Sequence, residues 1–314
     1  MTDTATRRRP VVAAPVVRRS RRPTLAAFAI AAMPVLVVIA FIGFPVVMAI
    51  LYSFGFVGGT NSVVALIAQD QHTGFPTFGA YAAVIGDGAS MRNLAATVIV
   101  TVVSVALVLV LSWSIALYLR LSDSAIARVL SALSVVPLFI PVVIASYAIL
   151  NFYAGDGLPR TIAHLFGWNS FPTLSYTIVA VTIGEIWTQL PFGVLLMTSG
   201  MQAVPNALIE AARDAGARMP RVVRSVLLPM TLVQTVIVAT FAAIYVLGSF
   251  TVPFVIGPNA PNLLGVAMTA QFQSYGRPQQ AAVLAVIVFV IAAGIGVAYV
   301  WANVRANKRS GATR

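Results

Sequence analysis

Six runs of this chain are apolar and almost free of charge over lengths that can cross a bilayer: about 25–52, 94–119, 129–150, 174–200, 226–250 and 281–302. A helix needs about 20 residues to cross about 30 Å of hydrocarbon. Each run must be helical, because a lone strand in lipid leaves its backbone groups unpaired. The expected fold class is therefore an all-α membrane protein with six transmembrane helices. Composition closes the soluble alternatives, since 59% of the 314 residues are hydrophobic and only 9% are charged. That leaves too little polar surface to cover a globule of this length. Pro34, Pro45, Pro137, Pro141, Pro191 and Pro229 fall in or at the edge of the runs, where each is expected to kink or end its helix.

The charges set the orientation. There are 20 Lys+Arg against 8 Asp+Glu, a net of +12. In a soluble chain that balance would suggest nucleic acid; flanking apolar spans, it orients them in the membrane, and no nucleic-acid partner is expected. With the N-terminus inside, 17 of the 20 basic residues lie on the cytoplasmic side, leaving Arg92, Arg160 and Arg277 outside. The positive-inside rule is then met on every loop, and both termini are expected in the cytoplasm. The domain reading is a basic tail over 1–23 with seven arginines, a six-helix domain over 24–304 with an inner loop at 201–225, and a short tail over 305–314. The tail resembles the charged part of a signal peptide, yet the uncharged run that follows is too long for a signal core, so a retained first span is expected. The outer segments 53–93, 151–173 and 251–280 are Gly-, Pro- and Asn-rich, as in Gly257-Pro258-Asn259-Ala260-Pro261-Asn262, which suits a surface facing an external partner.

Several chemistries are excluded on residue supply. The chain has no Cys, so thiolate metal sites, disulfides and cysteine nucleophiles are out. His72 and His164 are the only histidines and fall in outer loops, which leaves an intramembrane Ser–His hydrolase without its base. A phosphate-binding loop needs a lysine after its glycines, and the only lysine, Lys308, follows none. No enzyme activity, cofactor or metal is expected in the chain itself.

The inner loop is the most informative stretch. It runs from Val204-Pro205-Asn206 through Glu210-Ala211-Ala212-Arg213-Asp214-Ala215-Gly216 to Arg224-Ser225 and on to Leu228-Pro229. Pro205 is placed to open a helix, Ala207–Ala215 favours one, and Gly216 ends or turns it. Pro220 can start a second short helix leading into the fifth span. The small residues leave little bulk between this backbone and an opposing surface. On physical grounds alone the unit either fits a groove on a cytoplasmic partner or rests on lipid headgroups.

Glu210-Ala211-Ala212, Gly216 six residues after the Glu, and Leu228-Pro229 resemble the EAA loop of binding-protein-dependent (type I) ABC importer permeases. The loop also sits in the expected place, before the last two spans. The resemblance implies that Pro205, Glu210, Ala211, Ala212, Asp214, Gly216, Leu228 and Pro229 form or frame a coupling helix that docks on an ATP-binding subunit. It further implies two such ATPase subunits, which bind the ATP, a second similar or identical permease, an extracytoplasmic solute-binding protein, and residence in a prokaryotic plasma membrane. The placing of Asp214, together with Leu190-Pro191-Phe192 and the stretch from Gly248 to Pro253, is similar to the spermidine/putrescine permease group and its relatives for ferric iron, sulfate, phosphonates and opines. Ala215 departs from the Leu common there.

Glu185 is the only acid within the six runs. Carboxylates at that depth face a cavity or pair with donors, and Gln189 at i+4 shares its helix face. A pathway role toward a cationic solute such as a polyamine and a packing role both fit. Gln234, Tyr245 and Ser249 in the fifth span are further pathway candidates, or interhelical hydrogen-bonding groups. Sugar, phosphonate, ferric iron and opine solutes stay open, as does an ion-coupled secondary transporter, against which the single buried acid and the lack of visible repeats argue.

Overall fold

The computed structural model describes residues 25–69, 71–259 and 261–311, and among these there are helices and turns but no strand. The basic tail expected over 1–23, Asp70, Ala260 and the last three residues lie outside the described residues. The chain divides into two units, 1–47 and 48–314.

The first unit holds α1 (Leu25–Val38), a π-helical turn at Ile39–Gly43 and the start of α2 (Phe44–Ser53). Pro34 sits inside α1 without ending it. Over residues 33–42 the large apolar side chains are exposed, Met33 at 68% and Phe41 of the π-helical turn at 79%, as a lipid-facing helix requires.

The second unit opens with the outer segment, which carries α3 (Asn61–Ala65) and α4 (Gly79–Gly86). Asn61 Nδ2 ties this segment down by donating to the Met48 and Phe56 carbonyls at 3.0 and 3.1 Å. Gln279, fully buried at the head of the last helix, accepts from the His72 amide at 2.8 Å and donates to the His72 carbonyl at 3.2 Å. The second span is α5 (Gly88–Leu121), capped by Asp87, and it begins six residues before the uncharged run does. At about 1.5 Å per residue it is longer than the hydrocarbon is thick.

Proline breaks the third span where expected. α6 (Ala125–Val135) continues through a 3₁₀ turn to Phe139, and α7 (Val142–Phe152) leaves it at 111°. After the short α8 (Leu158–Leu165), α9 (Ile178–Gln202) runs unbroken past Pro191. Then come the inner-loop helices α10 (Asn206–Asp214), α11 (Met219–Val222) and α12 (Leu228–Met230), the last two joined by a π turn. α13 (Leu232–Leu247) follows at a 67° bend. Among the described residues four helices are long and apolar enough to span, and the number is six if each of the two bent pairs forms one span.

Segment 251–280 differs from the exposed turn-rich surface expected of it. α14 (Thr251–Ile256) and α15 (Leu264–Thr269) fold inward, burying Val252, Pro253, Ile256, Leu263, Leu264 and Ala267. α5 fastens this hairpin with two side chains: Asn93 Oδ1 accepts from the Asn262 amide at 2.9 Å, and Thr97 Oγ1 from the Leu264 amide at 2.8 Å. The last helix, α16 (Pro278–Gly311), continues beyond the expected end near 302. No Pro or Gly stands between 302 and 310, so leaving the apolar run does not end the helix.

α9 is the central helix because its glycines admit three neighbours. A Cβ at Gly184 would lie 2.6 Å from Val252 of α14, at Gly193 2.3 Å from Ser112 Oγ of α5, and at Gly200 2.7 Å from Gln234 of α13. α5 answers with a buried row at every fourth residue: Ala96, Val100, Ser104, Val108, Ser112 and Ala116. Small residues at such contacts let helix backbones approach closely where lipid gives no hydrophobic drive to associate.

Candidate functional site

The inner loop folds as a helix, a glycine turn and a second helix. Pro205 stands one position before α10 rather than inside its first turn, with φ −59° and ψ 134°, and Asn206 begins the helix. At the other end the Gly216 amide donates to the Arg213 carbonyl at 2.8 Å and the Ala217 amide to the Ala212 carbonyl at 3.0 Å. That double closure is a Schellman turn, which requires a left-handed residue after the cap. Gly216 supplies it at φ +82°, and a Cβ there would meet nothing within 4 Å.

One face of this unit is apolar and buried. Val204, Ile209, Val222 and Leu227 form a cluster with Ala212, Ala217, Met219 and the α5 side chains Trp113 and Leu117. The opposite face leaves Glu210, Ala211, Arg213, Asp214, Ala215 and Gly216 exposed. A cavity of about 620 Å³ adjoins the turn, lined by Gly216, Arg218, Pro220, Arg221, Arg224 and Ser225. Leu228 and Pro229 are exposed on α12, just before the bend into α13. The exposed face is thus nearly free of bulk at Ala211, Ala215 and Gly216, with charge at its margins.

Arg120, in the last turn of α5, was visible in the sequence only as one more inner-side positive charge. Its guanidinium reaches the loop: Nε donates to the Met201 carbonyl at 3.1 Å, and Nη2 donates to the Val204 carbonyl at 3.1 Å and to Asn206 Oδ1. No local pattern signals these contacts, because the acceptors lie more than 80 residues along the chain.

The second candidate region lies within the bundle. Glu185 of α9 has no exposed surface, and neither carboxylate oxygen has a hydrogen-bond partner among the described residues. Ser249 and Tyr245 lie beside it. These two, with Val142, Ile244, Gly248, Phe250 and Thr251, line a cavity of about 420 Å³ at the break between α13 and α14. The structure therefore brings Glu185, Tyr245 and Ser249 together. Gln189 is buried one turn along α9, and Gln234 packs against Gly200 farther along it. Among the described residues no group of His, Cys, Asp and Glu is placed to hold a metal ion.

Comparison with known proteins gives this geometry a setting. The family described as "Binding-protein-dependent transport system inner membrane component" matches residues 109–309. The trehalose transport system permease protein SugA of Mycobacterium tuberculosis is 31% identical over 166 residues, covering 52% of this chain and 53% of its own length. The spermidine/putrescine transport system permease protein PotB of Haemophilus influenzae is 29% identical over 141 residues, 45% of this chain and 49% of its own. The chain thus spans about half the length of these curated relatives. A bacterial alginate ABC transporter, crystallised in complex with an alginate pentasaccharide-bound periplasmic protein, superposes with a TM-score of 0.72 at 13% identity over 87% of this chain and 92% of that one. That likeness shows a shared fold.

Proposed function

Because the chain belongs to the family of binding-protein-dependent transport system inner membrane components, we propose that it is the permease subunit of an ATP-driven importer. In this reading it forms half of a solute pathway across a prokaryotic plasma membrane, both termini are cytoplasmic, and the 201–225 loop faces the cytoplasm. The observation that carries the coupling role is the exposed small-residue face of α10, closed by Gly216 in the left-handed conformation. A groove on an ATPase can receive Ala211, Ala215 and Gly216 at backbone distance, with Glu210 and Asp214 at the rim, whereas Ala212, expected to dock with them, packs on the inner face against the apolar cluster. Pro205 and Leu228-Pro229 set where the unit enters and leaves the membrane surface. ATP is bound by two partner subunits, a second permease completes the pathway, and a binding protein delivers solute to the outer face.

The solute we infer is a small cation such as a polyamine. A buried carboxylate next to Tyr245 and Ser249, two residues that line a cavity at a helix break, supports this reading, since broken spans and buried acids are where transport sites are built. Gln189, Gln234, Tyr245 and Ser249 would supply hydrogen bonds along the same route. The trehalose permease among the relatives favours a second reading, a sugar, for which Glu185 would be a packing acid.

Purifying the tagged chain in mild detergent from its native membrane tests the assembly. The expected result is a stoichiometric ATP-binding subunit, with a permease partner or binding protein in the same peak. A folded chain that purifies without any ATPase would overturn the reading and turn attention to an ion-coupled secondary transporter.

A further inference from the structure

We propose that Arg120 is the positioning residue that locks the docking helix to the membrane domain, by pinning the end of α9 and the start of α10 to the end of α5. The proposal rests on the coupling-loop reading above.

α9 stops at Gln202, and Pro205, lacking an amide hydrogen, keeps the helix from resuming through the joint. The terminal carbonyls of a helix have no partner of their own kind. Two carbonyls at this joint accept from the Arg120 guanidinium, that of Val204 and that of Met201, which also accepts from the Val204 amide at 3.3 Å, and Asn206 Oδ1 at the first position of α10 accepts from the same Nη2. A guanidinium presents its donors in a rigid plane, so one side chain fixes three points spread over six residues. Its charge also opposes the negative end of α9.

The same face of α5 carries the rest of the unit. Trp113, Leu117 and Arg120 lie at i, i+4 and i+7, on one side of the helix. Trp113 and Leu117 pack against Val204, Ile209, Val222 and Leu227, and Trp113 Nε1 donates to Thr235 Oγ1 of α13 at 3.1 Å. Apolar contact resists separation but has no direction, so by itself it lets two helices slide. The Arg120 bonds supply direction. Without them a push on α10 is absorbed by rotation at Ala203–Val204–Pro205; with them it moves the ends of α5 and α9 together. A residue that only caps α9 would affect stability, whereas a positioning residue affects how much of each ATPase cycle reaches the membrane helices.

The test uses the complete complex as it co-purifies. The chain has no cysteine, so a single Thr251→Cys in the α13–α14 cavity reports on the membrane domain through its rate of reaction with a fluorescent maleimide. The rate is read with and without ATP plus orthovanadate, alongside ATP hydrolysis. In an otherwise wild-type complex the rate is expected to change with nucleotide. Arg120→Ala is expected to retain its ATPase subunits and hydrolysis within about twofold while the nucleotide-dependent change falls at least fivefold. Arg120→Lys, which keeps the charge but not the planar fork, should recover less than half of the change. Asn206→Ala, which removes one contact of three, should lose less than twofold.

A full nucleotide response in Arg120→Ala overturns the proposal, and full recovery by Lys reduces the role to charge at a helix end and overturns it as well. If both Arg120 variants fail to accumulate or to hold the ATPase, Arg120 is a folding or docking residue and the proposal is wrong. A wild-type complex that holds ATPase subunits but shows no nucleotide response defeats instead the coupling reading beneath it.

Discussion

A carboxylate with no exposed surface is costly to keep charged, so the charge of Glu185 does not serve stability. If it receives a cationic solute, Glu185→Gln keeps the shape and removes the charge. The variant is expected to accumulate at least as well as the wild type, while uptake of a labelled polyamine in vesicles falls tenfold or more. Unchanged polyamine uptake in a polyamine-transporting complex would make Glu185 a packing acid. Asp87, outside the spans, shows the opposite situation. The Ser90 hydroxyl at 2.7 Å and the amides of Ser90 and Ala89 at 2.9 and 3.2 Å donate to it, and these bonds hold its carboxyl below the usual carboxylate range. Its cap is therefore fully present above that range and is lost as pH falls through the lowered folded-state value. Asp87→Ala should cost about 1 kcal/mol, measured as thermal unfolding in detergent at pH 7, with the difference from wild type shrinking toward pH 3. A constant difference across that interval would show that the charge contributes nothing to the cap. Glu185 announced itself in the sequence as the lone acid of six apolar runs; Arg120 did not, because its meaning lies in acceptors brought near only by the fold.

Helix contacts in this chain are set by the smallest residues. A Cβ on Gly193 would sit 2.3 Å from Ser112 Oγ and 3.2 Å from both Ser112 Cβ and Val108 Cγ1, so α5 and α9 touch almost backbone to backbone there. Gly193→Ala should destabilise by about 1–3 kcal/mol, the range for an overpacked core. Ser112→Gly added to it should restore most of the loss, Ser112→Ala only part, as read from melting of the purified chain. Equal melting of Gly193→Ala and wild type would mean that the helices separate at no cost. The six-residue row in α5 that faces this contact, one at every fourth position, is present in the sequence as a period. Composition conceals it, because Ala, Val and Ser scatter through the whole run. The inner loop was legible because its determinants are local: a proline, helix formers and a glycine at the turn. The same logic failed for 251–280, whose prolines and glycines look like surface turns. What buries α14 and α15 is the space opposite Gly184 and the pair Asn93 and Thr97, all far away in sequence. The bend at Ile140–Pro141 came out as expected, while Pro34 and Pro191 sit in helices that continue, since a proline costs its helix one bond and a clash but leaves the flanking turns intact.

For the whole molecule the governing quantity is the side of the membrane on which each loop lies, since coupling and solute delivery need opposite faces. The charge count predicts that the 201–225 loop is cytoplasmic, its arginines being among the 17 of 20 basic residues expected on that side, because moving arginines across the bilayer during insertion is costly. The absence of cysteine makes the assignment directly measurable. Ser62, Asn169 and Ser225 are exposed and lie in the 53–93, 151–173 and 201–225 segments. Single substitutions Ser62→Cys and Asn169→Cys should react with a membrane-impermeant maleimide added to intact spheroplasts, and Ser225→Cys only after permeabilisation. The bent pairs sharpen the test. If Ala125–Phe139 with Val142–Phe152 were a re-entrant loop rather than a span, Ser62 and Asn169 would label from opposite sides. If the pair 219–230 with 232–247 failed to cross, Ser225 would still label from within, but the start of α16 would move to the cytoplasmic side. A fourth probe at the exposed Gln273, just before α16, separates that case. Labelling of 62, 169 and 273 from outside and of 225 from inside requires both bent pairs to span, and with them a docking face and a solute-entry face on opposite sides of one chain.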